Sequence, residues 1–183
     1  MSKVITFSRK FPAYHPKKGQ HTCFVEKIWN EIGGDPLNED TFNVIHSLNG
    51  GNVENIQQFF DGLYVDETMF KHHTIRAGKR WNIHDKFSPR VWSGKPYNSK
   101  QIIIAPDITI VNVWDIELTN RNKAYDVTID GTLYDESNGG NEIIMQLAWN
   151  DGLTTSDFLA WFPLKNGESF EGQIICWNKK IQY

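Results

Sequence analysis

Cysteine is scarce in this chain. Two of its 183 residues, Cys23 and Cys176, lie far apart with no CxxC pair. That spacing argues against a disulfide framework and against a zinc ribbon. No apolar run approaches the roughly 18 residues of a membrane span. The opening, MSKVITFSRKFP, lacks the long apolar core of a signal peptide. The Gly-Gly pairs at 33, 50 and 139 build neither a GxGxxG turn nor a P-loop, so nucleoside-triphosphate chemistry has no support. No repeat or low-complexity tract is present. These absences point to a cytoplasmic protein with no membrane partner and no cofactor. Aromatic residues, in contrast, make up 13% of the chain, which excludes a disordered polymer. A chain of this length can bury a core without staples, and one domain over residues 1–183 is expected.

The formal charge of -3 hides a segregation. Residues 1–32 hold six Lys/Arg and two acids; residues 33–70 hold no Lys/Arg and seven acids. Residues 71–100 hold eight Lys/Arg against the single acid Asp85, and residues 101–183 hold five against twelve. The two basic blocks are expected to form one positive face turned toward an anionic partner. The alternative is that the acidic block simply packs beside them.

Periodicity places the elements. KVITFS reads as a strand. TCFVEKIWNEIGG reads as a helix, capped by Thr22 and stopped at Gly33-Gly34. The acidic stretch is expected to add two short helices, near Asp40–Leu48 and Val53–Phe60. QIIIAP, DITIVNVWDIEL and AYDVTIDGTLY are β-rich, with Ile108, Ile110, Asn112 and Trp114 on one face. EIIMQLAWNDG leans to helix. TTSDFLAWF is a second late helix, opened by Thr154 with Asp157 three residues on. ESFEGQIICWNK closes as a strand. The sum is α+β: a closed barrel with helices on its rim.

The stretch KHHTIR has the form Lys-x-x-Thr-x-Arg. Asp85 follows, then the β-rich middle, then AWNDGLTTSDFLAWF. This pattern resembles the ASCH domain, a branch of the PUA-like barrels, over the chain apart from roughly residues 33–63. That segment is then an acidic helical insertion. His84 stands where the family has glycine, and Leu153 where it has an aromatic. The resemblance implies RNA or modified-nucleobase binding in a cleft of a PUA-like barrel. The alternative it implies is an amidohydrolase that removes acetate from N4-acetylcytidine-type nucleosides; a ribonuclease is a weaker option. The implied catalytic set is Lys71, Thr74 and Asp151, with Asp151 one methylene shorter than the family's usual Glu.

The residues can also be read for themselves. Amide hydrolysis needs a nucleophile, a base, a stabilised oxyanion and an acid. Thr74 can attack or hold a water; Arg76, on the same strand face, can hold a carbonyl oxygen or phosphate. Lys71, three residues from Thr74, falls on the opposite face if the strand runs unbroken. The bland alternative for the whole stretch is a solvated strand. In FSPRVWSGKPYNSK, Arg90, Trp92, Lys95 and Tyr97 interleave cations with rings, as a base-stacking surface does. Alternation sets Ser88, Arg90 and Trp92 on one side and Phe87, Pro89 and Val91 on the other. His72 and His73 cannot jointly chelate an ion from opposite strand faces, and no metal is expected. HPKKG, at residues 15–19, reads as a solvated basic turn. A third possibility makes residues 33–70 a docking segment for a basic partner or a cover for the cleft.

Overall fold

The computed structural model describes residues 2–33, 43, 70–122 and 124–183. In chain order the elements are β1 (Lys3–Phe7), α1 (Phe24–Ile32), β2 (His73–Ala77), β3 (Lys86–Trp92), β4 (Gln101–Ile103), β5 (Ile108–Thr109), β6 (Asn112–Arg121), β7 (Ala124–Ile129), β8 (Thr132–Tyr134), α2 (Gly140–Asn150), α3 (Thr155–Trp161) and β9 (Ser169–Cys176). They divide between two compact units: residues 1–71 with 86–108, and residues 72–85 with 109–183.

The first unit is built on a sheet in which β3 lies between β1 and β4. β1 and β3 run parallel, Ile5 opposite Pro89 and Phe7 opposite Val91; β4 runs antiparallel to β3. The alternation of β-branched and aromatic residues in β1 puts Ile5 and Phe7 inside. Phe87 and Val91 join them, with the Phe7 and Phe87 rings 6.4 Å apart. Helix α1 buries Phe24, Val25, Ile28 and Trp29. The Trp29 indole N–H donates to the Ile104 carbonyl at 2.6 Å, so the largest ring enters the core with its polar atom satisfied. Gly33, at φ 72°, ends the helix in the left-handed region, which glycine enters without a Cβ clash. The start differs from expectation. Thr22 donates its hydroxyl to the Ser8 carbonyl at 2.6 Å and accepts from the Phe24 amide at 3.4 Å, while the cap position itself falls to Cys23, with no side-chain cap bond of its own.

The second unit is a five-stranded antiparallel sheet in the order β2-β9-β6-β7-β8, with α2 and α3. Ile75, Ile174, Ile116, Leu118, Val127 and Ile129 form its buried face. Helix α2 contributes Ile143, Ile144 and Leu147, and α3 contributes Phe158. Thr154 caps α3 as expected, accepting from the Asp157 amide at 3.2 Å and donating to its carboxylate at 2.7 Å. In β9, between β2 and β6, Gly172 is required: a Cβ there would collide with the Arg76 carbonyl.

The expected closed barrel is not formed by the described residues. Their strands fall into two open sheets, and the longer one has β2 and β8 as unpaired ends. A barrel needs its terminal strands to pair with each other. Here β1 pairs instead with β3, in a different sheet from β9. Alternation tells which face a strand buries, not which strand it pairs with. The expected insertion at about 33–63 and its two helices lie, Gly33 and Asn43 apart, outside the described residues.

Candidate ligand-binding site

In the first unit the sequence-predicted alternation of β3 holds. Phe87, Pro89 and Val91 are buried; on the other face Arg90 and Trp92 are half-buried, while Ser88, expected beside them, is buried too. Register brings Thr6 of β1 and Ile103 of β4 beside Arg90, and Gln101 beside Trp92. Arg90 donates from Nε to the Ser88 hydroxyl at 3.2 Å and from Nη1 to the Gln101 side-chain oxygen at 3.2 Å. The guanidinium is thus held from both sides along the sheet. Beyond β3 the chain turns. Gly94 N–H donates to Ser99 Oγ, and Ser99 Oγ donates to the Lys95 carbonyl, both at 2.9 Å. Tyr97 sits in this turn at φ 64°, a left-handed backbone uncommon for a ring-bearing residue. It is 88% exposed, yet its ring lies 5.4 Å from that of Trp92, tilted by 51°. Lys95 is exposed in the same turn.

Arg9, missed in the sequence reading, braces this region. Its Nε and Nη2 donate to the carbonyls of Trp92 and Ser93, each at 3.0 Å. Burial holds its pKa below the ordinary value. His21 is likewise pushed down, by burial first and then by the charges of Lys10 and Arg9. The described residues of this unit carry eleven Lys/Arg against three acids. The basic turn at His15–Gly19 is less solvated than expected: His15 is buried and stacked on Phe11 at 4.4 Å.

Lys71 also belongs to the first unit. It is 1% exposed, with Nζ 4.0 Å from the Phe24 ring centroid and 5.9 Å from that of Phe7. Aromatic faces offset part of the cost of burying an ammonium. Strand alternation does not govern Lys71, because β2 begins at His73.

Thr74, Arg76 and Asp151 belong to the second unit. Thr74 and Arg76 share a face of β2, opposite Ile175 and Gln173. Thr74 is buried. Arg76 is half-buried. Burial lowers its pKa, Asp151 acts in the opposite direction, and Arg80 adds to the lowering. Asp151 ends α2 and is itself buried.

A polar chain that the sequence reading missed runs behind this strand. Leu147's carbonyl only accepts, so His73 Nε2 carries the proton it donates there, at 3.2 Å. In the neutral ring Nδ1 is then an acceptor, and the Tyr183 hydroxyl donates to it at 2.9 Å. Tyr183 in turn accepts from Asn150 Nδ2 at 2.8 Å. Burial raises the Tyr183 pKa, which keeps the hydroxyl proton in place. Asp151 stands 4.0 Å from His73 Nε2. His72 takes another direction, its Nδ1 accepting from Asn178 at 3.1 Å. Among the described residues no three His, Cys, Asp or Glu side chains are grouped as metal ligands. No signal in KHHTIR pointed to Tyr183, which lies 110 positions away.

The structure therefore gathers Arg90, Trp92, Lys95 and Tyr97 in one unit, and Thr74, Arg76 and Asp151 in the other, with Lys71 assigned to the first. Among the described residues no helix is long and apolar enough to cross a membrane. Comparison with protein-family models, curated proteins and solved structures gave no match. The class that fold and site define is an α+β protein with a basic, aromatic-bearing sheet face.

Proposed function

We propose that the protein binds single-stranded RNA or a modified nucleobase in the cytoplasm, through the open β3 face of the first unit. One observation carries the reading: Tyr97, 88% exposed, is held against Trp92 on the face that bears Arg90. An exposed ring fixed by its backbone turn and a neighbouring ring offers a stacking platform at little ordering cost. Stacking on such a ring contributes roughly 1–3 kcal/mol per base. Arg90, Lys95 and the excess of cations in this unit supply the attraction for phosphate. The reading keeps the ligand class implied by the Lys71-x-x-Thr74-x-Arg76 resemblance and drops the barrel cleft.

Fluorescence anisotropy with short labelled RNA tests it. Tyr97→Ala and Trp92→Ala should each weaken binding about tenfold, in line with one lost stack. Lys165→Ala, remote in sequence and in the second unit, should leave it unchanged. Tyr97→Ala binding as tightly as the parent would remove the proposal.

A hydrolytic reading rests on a different observation, the buried Thr74 on the β2 face that also bears Arg76. It predicts acetate release from N4-acetylcytidine, abolished by Thr74→Ala. RNA binding without any acetate release leaves the binding reading alone.

A further inference from the structure

Arg90 is held in an unusual way for a general phosphate-binding cation. Its Nε is tied to Ser88 and its Nη1 to Gln101, both at 3.2 Å. A guanidinium has five N–H donors, so both Nη2 protons and one Nη1 proton remain. No other hydrogen bond to Arg90 occurs among the described residues. The group is half-buried, its cross-strand partner Ile103 is an exposed apolar residue, and Trp92 lies two residues on along the same face. A phosphate contact needs charge and tolerates a mobile side chain. A guanidinium held at two of its nitrogens by Ser88 and Gln101 is instead suited to directional recognition of a planar edge that carries only acceptors. On the Hoogsteen edge guanine alone presents two adjacent acceptors, O6 and N7, to such a fork; adenine sets an N–H donor beside its N7, and the adjacent acceptors of cytosine, N3 and O2, lie on its Watson–Crick edge.

We propose that Arg90 makes this face selective for guanine, reading O6 and N7 of a base stacked at the Trp92–Tyr97 pair, with Gln101 as its positioning residue. The inference rests on the RNA-binding reading above. Lys95 and the neighbouring cations serve the backbone, and Arg90 serves the base.

The test uses the full chain and four labelled pentamers differing only at the centre: UUGUU, UUAUU, the inosine analogue and the 7-deazaguanosine analogue. Inosine keeps O6 and N7; 7-deazaguanosine loses N7. The guanine and inosine oligomers should bind about tenfold tighter than the other two. Arg90→Lys should level all four near the affinity of UUAUU, because a point charge cannot reproduce the fork. Gln101→Ala should narrow the ratio of guanine to adenine binding toward one. Tyr97→Ala should weaken all four alike and serves as the control for the binding reading. Equal binding of the four oligomers, with Tyr97→Ala still weakening them, overturns guanine selection and leaves the binding reading standing. Arg90→Lys weakening all four equally, with a shallower salt dependence, makes Arg90 a phosphate contact and also overturns it. No binding by any oligomer overturns both.

Discussion

Glu26 is expected to make the first unit less stable as the pH rises, and its replacement by glutamine should reveal by how much. The residue lies in α1, 6% exposed, and its carboxyl is pushed up to about 7. Burial is the main cause; its own backbone N–H and the charge of Lys27 oppose it. In the unfolded chain the group titrates near 4.5. A carboxyl whose folded pKa is raised binds its proton more tightly in the folded state. Its contribution is therefore favourable or neutral below about pH 4.5, is lost progressively between about 4.5 and 7, and stays lost above. The full penalty is on the order of 3 kcal/mol, from 1.36 kcal/mol per pKa unit. Glutamine keeps the shape and the acceptor for the backbone N–H but never ionises. Urea unfolding of parent and Glu26→Gln should then differ by about 1 kcal/mol at pH 5 and by about 3 kcal/mol at pH 8, with the variant the more stable. A difference that stays constant across this range would refute the reasoning, since only an ionising group can supply the slope. A parent more stable than the variant at pH 8 would show instead that the buried carboxylate is held by an ionic partner.

Three further perturbations test the packing. Gly172→Ala drives a methyl into the Arg76 carbonyl between β2 and β9; a loss of about 2 kcal/mol or more in chemical denaturation is expected. Tyr183→Phe strips the hydroxyl from the Asn150–Tyr183–His73 chain. With two buried polar groups left facing a ring edge, the cost should be about 1–3 kcal/mol, and full stability in the variant would show that water replaces the hydroxyl. Thr154→Ala removes the α3 cap and should cost about 1 kcal/mol, whereas Thr154→Ser should cost far less.

Much of the local structure is written in short stretches of the chain. The β-branched run KVITF, the alternation of FSPRVW, the Thr154–Asp157 pair and the stop at Gly33 each act within a few residues, where steric preference and capping operate. Hence the grouping of Ser88, Arg90 and Trp92 on one face could be read before any coordinates, and so could the basic excess of the segments around them. Thr22 shows the limit even at short range. Its hydroxyl accepts from the Phe24 amide at the helix start, at 3.4 Å, but its proton goes to the Ser8 carbonyl, which the fold brings close, and the cap position falls to Cys23.

The tertiary structure alone decided the rest. Alternation fixes a strand's faces but leaves its neighbours open, so the sequence suggested a closed barrel where the described strands form two open sheets. Parallel pairing of β1 with β3 spans some eighty residues, and nothing local encodes it. The burial of Lys71 beside two phenylalanine rings and the reach of Tyr183 to His73 are of the same kind. Each joins side chains far apart in sequence, and their meeting is set by how whole elements bury apolar surface rather than by any motif they share.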